Sequence, residues 1–333
     1  MIELRESTDA EQWNELVLEM GGHPLQLWGW GELKASHGWS VDRVYFVEDD
    51  TPDVPVGYLQ ILTRKLPLPL RAFSYVPRMQ LFHVKQSEIL AIATAFIKKK
   101  YKGVALSVEP DALMFEAPDK WVRATNKILP AETILLDLEQ SEDELQTAMA
   151  KKTRQYIRKS SKDIVIRQAN DEERVRQCLE LYRQTSKRAG FALHDEEYYL
   201  DVWRYMGEYA PLFIAYEKGS DAPVSFLWMA VSGATGYELY GGMNDRGQEL
   251  RANYALKWHA ITRLKKWGLT KYDFGGIVAG GVATFKQGWA KDETMFAGTY
   301  DIPLSPLYVM WSHGLPFAKK TAQKIRKVLK KNR

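Results

Sequence analysis

Two stretches of this 333-residue chain repeat the same order of predicted elements, and that repetition constrains the fold more than any other feature. Each stretch opens on an acid-rich, amphipathic helix start, Glu6–Val17 (ESTDAEQWNELV) and Glu139–Met149 (EQSEDELQTAM). Each continues with a strand, a turn rich in Asp, Gly or Pro, and a second strand. These are VDRVYFVEDD and VPVGYLQIL in the first half, APLFIAYEKG and APVSFLWMA in the second. A helical run follows, Ile89–Lys100 in one half and Leu256–Trp267 in the other. Each leads through a glycine into a further strand, VALSVEP or TKYDFGG. From the hairpins onward, matching segments lie roughly 160 to 170 positions apart.

A hairpin, a helix and another strand make up the α/β unit of GNAT-type acyltransferases. The expected fold is therefore α/β (α+β), with two GNAT-like acyltransferase domains in tandem. Length agrees, since 333 residues exceed what one core usually supports. The boundary is expected near residue 140, after the strand Thr133–Leu138, giving domains 1–139 and 140–301. The C-terminal segment 302–333 has no repeat partner and is expected to join the first domain. It should close on a basic helix, in which Ala322, Ile325, Val328 and Leu329 recur at helical spacing opposite lysines.

Hydrophobic residues at 45% and charged residues at 26% fit an ordinary globular chain. Net charge is only +4, yet Phe317–Arg333 carries eight Lys or Arg and no acid. A local basic patch on a near-neutral body suits a phosphate-rich partner. A single cysteine, Cys178, excludes an internal disulfide and a Cys-based zinc site. The six histidines lack the spacing of a ligand set, so neither metal nor cofactor is expected. No apolar run approaches the ~18 residues of a membrane span, and the N-terminus has no apolar signal core. These features predict a cytoplasmic monomer, with peripheral contact at the inner face of the membrane left open.

QLWGWGELKASHGW (Gln26–Trp39) resembles the N-terminal signature of the Fem family (FemABX-like) of peptidoglycan-bridge aminoacyltransferases. YVPR (Tyr75–Arg78), KKTRQYIRKSSK (Lys151–Lys162) and KRAGFALHDEEYY (Lys187–Tyr199) match in order. So do the run from ANYALKW through YDFGGI to FKQGWA and the closing AGTYDIPLSPLYVMW. The resemblance implies paired GNAT-like domains and an amino acid carried as an ester on tRNA. It also implies a cleft for a muramyl-pentapeptide precursor, either UDP-MurNAc-pentapeptide or lipid II. No long heptad-patterned insertion interrupts the second unit, so this is a compact form without the coiled-coil arm of some members.

Moving an aminoacyl group from an ester to an amine passes through a tetrahedral intermediate. It needs an amine at attack distance, a cation or donor for the oxyanion, and an anchor for the precursor. No covalent nucleophile is required, and Cys178, on a predicted helix, reads as a packed thiol. Lys286, in FKQGW after the glycine-rich GGIVAGG, is the first choice for chemistry, with Phe285 shaping the pocket. Without the motif it would read as a solvent-facing lysine.

Lys34 shares a helix face with Trp30 four residues earlier. The resemblance makes it a phosphate anchor, where its spacing alone would make it a surface lysine. Tyr198 and His194 occupy the place where the family holds the precursor's phosphates with a tyrosine and a basic residue. A histidine there, mostly neutral near pH 7, departs from the pattern, with Arg188 or Arg78 as candidate substitutes. Lys151, Lys152, Arg154 and Arg158 lie in a segment whose charges are all basic, suited to tRNA or another polyanion. Tyr240 and Tyr254 are candidates to line the substrate cleft. Asp273 reads as fixing its turn. Glu109 and Asp111 are candidates for a base toward the amine, and equally read as a strand-to-loop exit.

One competing reading is an acetyl-CoA-dependent GNAT N-acetyltransferase, which needs a glycine-rich pyrophosphate cradle at a helix start. NDRGQELRANYALKW offers only Gly247 there, followed by bulky residues. Another is a non-catalytic tRNA- or membrane-binding protein, which would leave FKQGW without a purpose.

Overall fold

The β-branched and aromatic residues of VDRVYFVE and its neighbours favour strands, and the 3.6-residue spacing of Ile89, Ala93 and Ile97 builds a helix. The computed structural model describes residues 1–82, 85–277, 281–290 and 292–314. It begins with β1 (Ile2–Glu6), α1 (Ala10–Glu19), α2 (Trp28–Ser36), β2 (Trp39–Glu48), β3 (Thr51–Lys65), β4 (Ala72–Met79), α3 (Gln86–Tyr101) and β5 (Ala105–Pro110). Short strands β6 (Val122–Arg123), β7 (Glu132–Thr133) and β8 (Leu135–Asp137) follow. Next come α4 (Glu142–Ala148), α5 (Lys151–Ser160), β9 (Ile164–Gln168), α6 (Glu172–Ala189) and α7 (Glu196–Met206). The remainder holds β10 (Leu212–Glu217), β11 (Pro223–Val231), β12 (Thr235–Met243), α8 (Asp245–Leu250), α9 (Ala252–Lys266) and β13 (Lys271–Asp273). It ends with α10 (Gly281–Gln287), β14 (Thr294–Met295) and β15 (Tyr300–Pro303).

The chain divides into two units. The first comprises Met1–Thr8, Gly38–Ala131 and the chain from Phe296. Its sheet has the order β1-β2-β3-β4-β5-β15-β6. Strands β1 to β4 pair antiparallel, β4 pairs parallel with β5, and α3 makes the crossover, burying Ile89, Leu90, Ala93 and Ile97. Strand β15 pairs antiparallel with β5, Tyr300 opposite Val108.

The second unit comprises Asp9–His37 and Glu132–Met295. Its main sheet runs β8-β13-β12-β11-β10-β9, and β7 pairs with β14 apart from it. Here β12 and β13 pair parallel, and α9 is the crossover, with Leu256, Ala260 and Leu264 buried along one face. An antiparallel hairpin feeding a parallel strand through a helix thus occurs twice, as the repeat in the sequence suggests. A one-residue bulge interrupts β11 against β12 at Trp228/Met229.

Three boundaries differ from the sequence reading. Thr133–Leu138 does not close the first unit, because β8 pairs antiparallel with β13, Leu136 opposite Tyr272. The division therefore falls at 131/132 rather than near 140. Glu6–Val17 is not one helix start: Ile2–Glu6 is a strand paired with β2, and α1 begins where the Asp9 carboxylate accepts the Glu11 and Gln12 amides at 2.9 and 3.0 Å. Helices α1 and α2 pack in the second unit, where α2 lies against α7. A Cβ on Gly29 would run into the Tyr205 carbonyl, so glycine is what permits that approach. The expected C-terminal basic helix lies outside the described residues.

Candidate functional site

The second unit contains a cavity of about 290 Å³, walled by β11, β12, α6 and α9. Its lining mixes aromatic rings (Tyr182, Phe191, Phe226, Phe274) with a few charged groups, the usual make-up of a small-molecule site. Lys286, Phe285 and Tyr240 line it, bringing three of the residues chosen from sequence to one place. Tyr254 does not line it. That ring packs edge-on against Phe285 and Tyr156, both at 5.0 Å, forming an aromatic wall behind the cavity.

Lys286 is 9% exposed, so the solvent-facing reading of this lysine fails. Its ammonium donates to the carbonyls of Phe274 and of Gly276, the latter at 2.7 Å. The turn after β13 makes this possible. Gly275 and Gly276 have φ of 71° and 93°, where a side chain would be strained. Asp273 accepts the Gly275 amide at 2.8 Å and the Thr133 hydroxyl at 2.5 Å, so its carboxylate fixes the turn, as the sequence suggests.

A second cluster, also in this unit, gathers Lys34, Trp30, His194 and Tyr198. Lys34 on α2 donates to the Tyr198 hydroxyl at 2.7 Å and lies 4.4 Å above the Trp30 ring. His194 stacks on Tyr198 with ring centres 4.0 Å apart. Partial burial, reinforced by the Lys34 charge, pushes the His194 imidazole below its ordinary value, so it is neutral at pH 7. The Trp30 indole N–H is buried without an acceptor among the described residues. Burial pushes the Tyr198 hydroxyl up to about 12. Tyr199 packs edge-on against both Tyr198 and Tyr240, with ring centres 5.6 and 5.1 Å apart, which links this cluster to the cavity wall.

The remaining candidates lie elsewhere. Arg78 belongs to the first unit, 2% exposed at φ 44°, with its guanidinium 3.9 Å from the Phe296 ring and its Nε without a partner among the described residues. Arg188 donates to the Met243 carbonyl at 2.9 Å. Arg154 is not part of a free basic face: its guanidinium donates to the carbonyls of Gln146, Thr147 and Met149, closing the end of α4. Lys151, Lys152 and Arg158 are exposed on α5. Glu109 accepts the Leu129 amide and the Thr299 hydroxyl and pairs with Tyr75, so it is a structural acceptor. Cys178 is buried on α6, and desolvation raises its thiol far above the ordinary range.

The sequence reading missed Glu238 and Lys257, which also line the cavity. Lys257 on α9 pairs with Glu238 on β12 at 2.5 Å, and Tyr272 donates to the same carboxylate oxygen at 2.7 Å. Burial, helped by the Lys286 charge and opposed by Glu238, pushes the Lys257 ammonium down to about 8. A signal existed: Lys257 lies four and seven residues before Ile261 and Leu264, on the apolar face of its helix.

A family model described as the FemAB family matches residues 115–226 and 216–314. The chain is 22% identical to the lipid II:glycine glycyltransferase of Staphylococcus saprophyticus, over 93% of this chain and 95% of the relative. That alignment runs over 401 positions, more than this chain's 333 residues, so the relative carries insertions that this chain lacks. A crystal structure of FemX superposes with a TM-score of 0.81 at 19% identity, over 92% of this chain and 99% of that one. A tandem GNAT protein from the clavulanic acid biosynthesis pathway superposes with a TM-score of 0.51 at 11% identity, over 92% and 99%. The fold is that of paired GNAT-like domains. Among the described residues no helix is long and apolar enough to cross a membrane.

Proposed function

The chain belongs to the FemAB family, and from that premise we propose that it moves an amino acid from aminoacyl-tRNA onto the stem peptide of a peptidoglycan precursor. The relatives named lipid II:glycine glycyltransferase favour lipid II as acceptor over its soluble nucleotide counterpart. The observation that carries the reading is the cavity itself. The buried ammonium of Lys286 stands beside an aromatic floor, and Tyr240 in the wall packs through Tyr199 onto Tyr198, the partner of Lys34 in a cationic subsite.

The chemistry follows from that arrangement. The donor ester enters the cavity, and Lys286 places positive charge where the carbonyl oxygen becomes an oxyanion. The carbonyls of Phe274 and Gly276 hold that ammonium before the substrate arrives, so little reorganisation accompanies the reaction. Lys34 and the Tyr198 hydroxyl offer charge and hydrogen bonds to the precursor's phosphates, and the unpaired Trp30 N–H adds a donor. His194, being neutral, contributes a hydrogen bond rather than a charge. Lys151, Lys152 and Arg158 contact the tRNA backbone, while Arg154 holds the α4–α5 junction. The protein works as a monomer in the cytoplasm, at the inner face of the membrane.

An acetyl-CoA donor is disfavoured at the place where GNAT enzymes cradle pyrophosphate. The Gly247 amide, which would have to meet that group, is already taken by the Asn244 side chain at 2.8 Å. The test is incubation with a mixture of charged tRNAs and either lipid II or UDP-MurNAc-pentapeptide, followed by mass analysis. A precursor heavier by one amino-acid residue is the expected product. An acetylated precursor, or an unmodified one in every mixture, would refute the reading.

A further inference from the structure

We propose that Lys257, held by Glu238 in the wall of the cavity, accepts the proton released when the acceptor amine attacks the donor ester. The inference rests on the aminoacyl-transfer reading and supplies a group which that reading lacks. An amine attacking a carbonyl becomes positively charged, and the intermediate falls back unless a nearby base removes a proton. Lys286 is unsuited, since both carbonyls that hold it accept from its ammonium form. Tyr240, raised well above its ordinary value by burial, has no proton-accepting form near neutral pH. Cys178 is buried on α6 and is not among the residues lining the cavity.

Lys257 differs from them in position and in surroundings. It is 5% exposed on a helix face otherwise filled by Ala252, Leu256, Ala260 and Leu264. A buried ion pair is commonly no more stable than apolar residues of the same volume, so packing alone does not call for a lysine there. Its ammonium lies 4.3 Å from the Phe274 ring centre and 5.0 Å from that of Phe285, the residue preceding Lys286. The groups that govern its charge come from three elements. Glu238 on β12, itself bonded by Tyr272 on β13, holds the proton on, and Lys286 on α10 pushes it off. Near pH 8 the two forms of Lys257 are therefore both populated, as a base working close to neutrality requires.

The step balances without a further reactant. The acceptor nitrogen bonds to the ester carbon, and the carbonyl π pair moves onto oxygen beside Lys286. The neutral Lys257 Nζ takes one proton from the new ammonium. As the bond to the ribose oxygen breaks, Lys257 returns that proton to the leaving oxygen and is neutral again.

The test is single-turnover transfer from aminoacyl-tRNA to the precursor between pH 6 and 9, with KM and circular dichroism on each variant. The wild-type rate should rise through a midpoint near 8. Lys257→Arg keeps a cation beside Glu238 but holds its proton, so the rate should fall about 100-fold with KM little changed. Glu238→Gln, nearly isosteric, removes the group that raises the Lys257 pKa, so the midpoint should move to lower pH. A Lys257→Arg rate within about threefold of wild type overturns the proposal, as does a Glu238→Gln midpoint that stays or rises. Unaltered variants alongside wild-type transfer overturn the proposal alone. Wild-type protein that makes no aminoacyl product at any pH overturns the functional reading, and the proposal with it.

Discussion

Lys286→Met separates catalysis from structure, because the ammonium it removes does two things. It donates to two carbonyls in the turn after β13, and methionine leaves both buried acceptors without that donor. An unsatisfied buried acceptor costs about 1–3 kcal/mol, and some of that is regained by no longer burying a charge, so about 2–4 kcal/mol is expected in total. For a unit of this size that corresponds to a Tm lower by roughly 5 to 15 °C. The effect on rate is separate. A cation aimed at the oxyanion acts mainly in the transition state, so kcat should fall about 100-fold or more while precursor affinity changes little. Lys286→Arg keeps the charge and should recover part of both losses. The assay is steady-state kinetics on each variant beside thermal melts followed by circular dichroism. A folded Lys286→Met protein with lowered Tm and near-normal kcat would show that the ammonium only straps the turn, and the catalytic assignment would be wrong.

Lys34→Met should raise KM for the precursor about tenfold with a smaller effect on kcat, because phosphate anchoring is the same in ground and transition states; equal losses in both parameters would contradict this. His194 has a lowered pKa and is neutral at pH 7, so precursor affinity should strengthen only as pH falls below the ordinary imidazole value of 6.5. Correspondingly, His194→Arg should tighten binding at pH 7 by roughly several-fold, and calorimetry showing weaker binding would remove His194 from the phosphate site. The basic segment should split in two: Arg158→Ala lowers the slope of log affinity for tRNA against log salt, whereas Arg154→Ala lowers Tm, since three carbonyls lose their donor. An unchanged salt slope for Arg158→Ala would leave α5 as a merely solvated face.

The legible part of the fold was local. Both hairpins, the crossover helices α3 and α9 and the parallel strands after them follow from apolar periodicity and turn residues, which neighbouring residues determine. The misplaced parts depend on contacts distant in sequence. Nothing within TILLDL says that Leu136 pairs with Tyr272, and nothing within WGWGELK says that α2 packs on α7. The same contrast holds at the site. A motif pointed to Lys286 and Phe285, both of which line the cavity, and the turn that holds the Lys286 ammonium follows from the glycines beside it. Arg154 looked like part of a basic face because its charge is visible in sequence, while the carbonyls that occupy it are not. Lys257 was missed because a lysine in a helix usually points to water. Only its phase relative to Ile261 and Leu264 places it on the buried face.

The central claim is that the transferred group comes from a tRNA ester. It is tested most directly with aminoacyl-tRNA labelled in the amino acid and acetyl-CoA labelled in the acetyl group, offered together to enzyme and lipid II in a single turnover. The account predicts that label leaves the tRNA ester at the rate at which it appears as amide on the precursor, one for one, while acetyl label stays in solution. Acetyl label on the precursor, or ester loss with no matching amide, would contradict it.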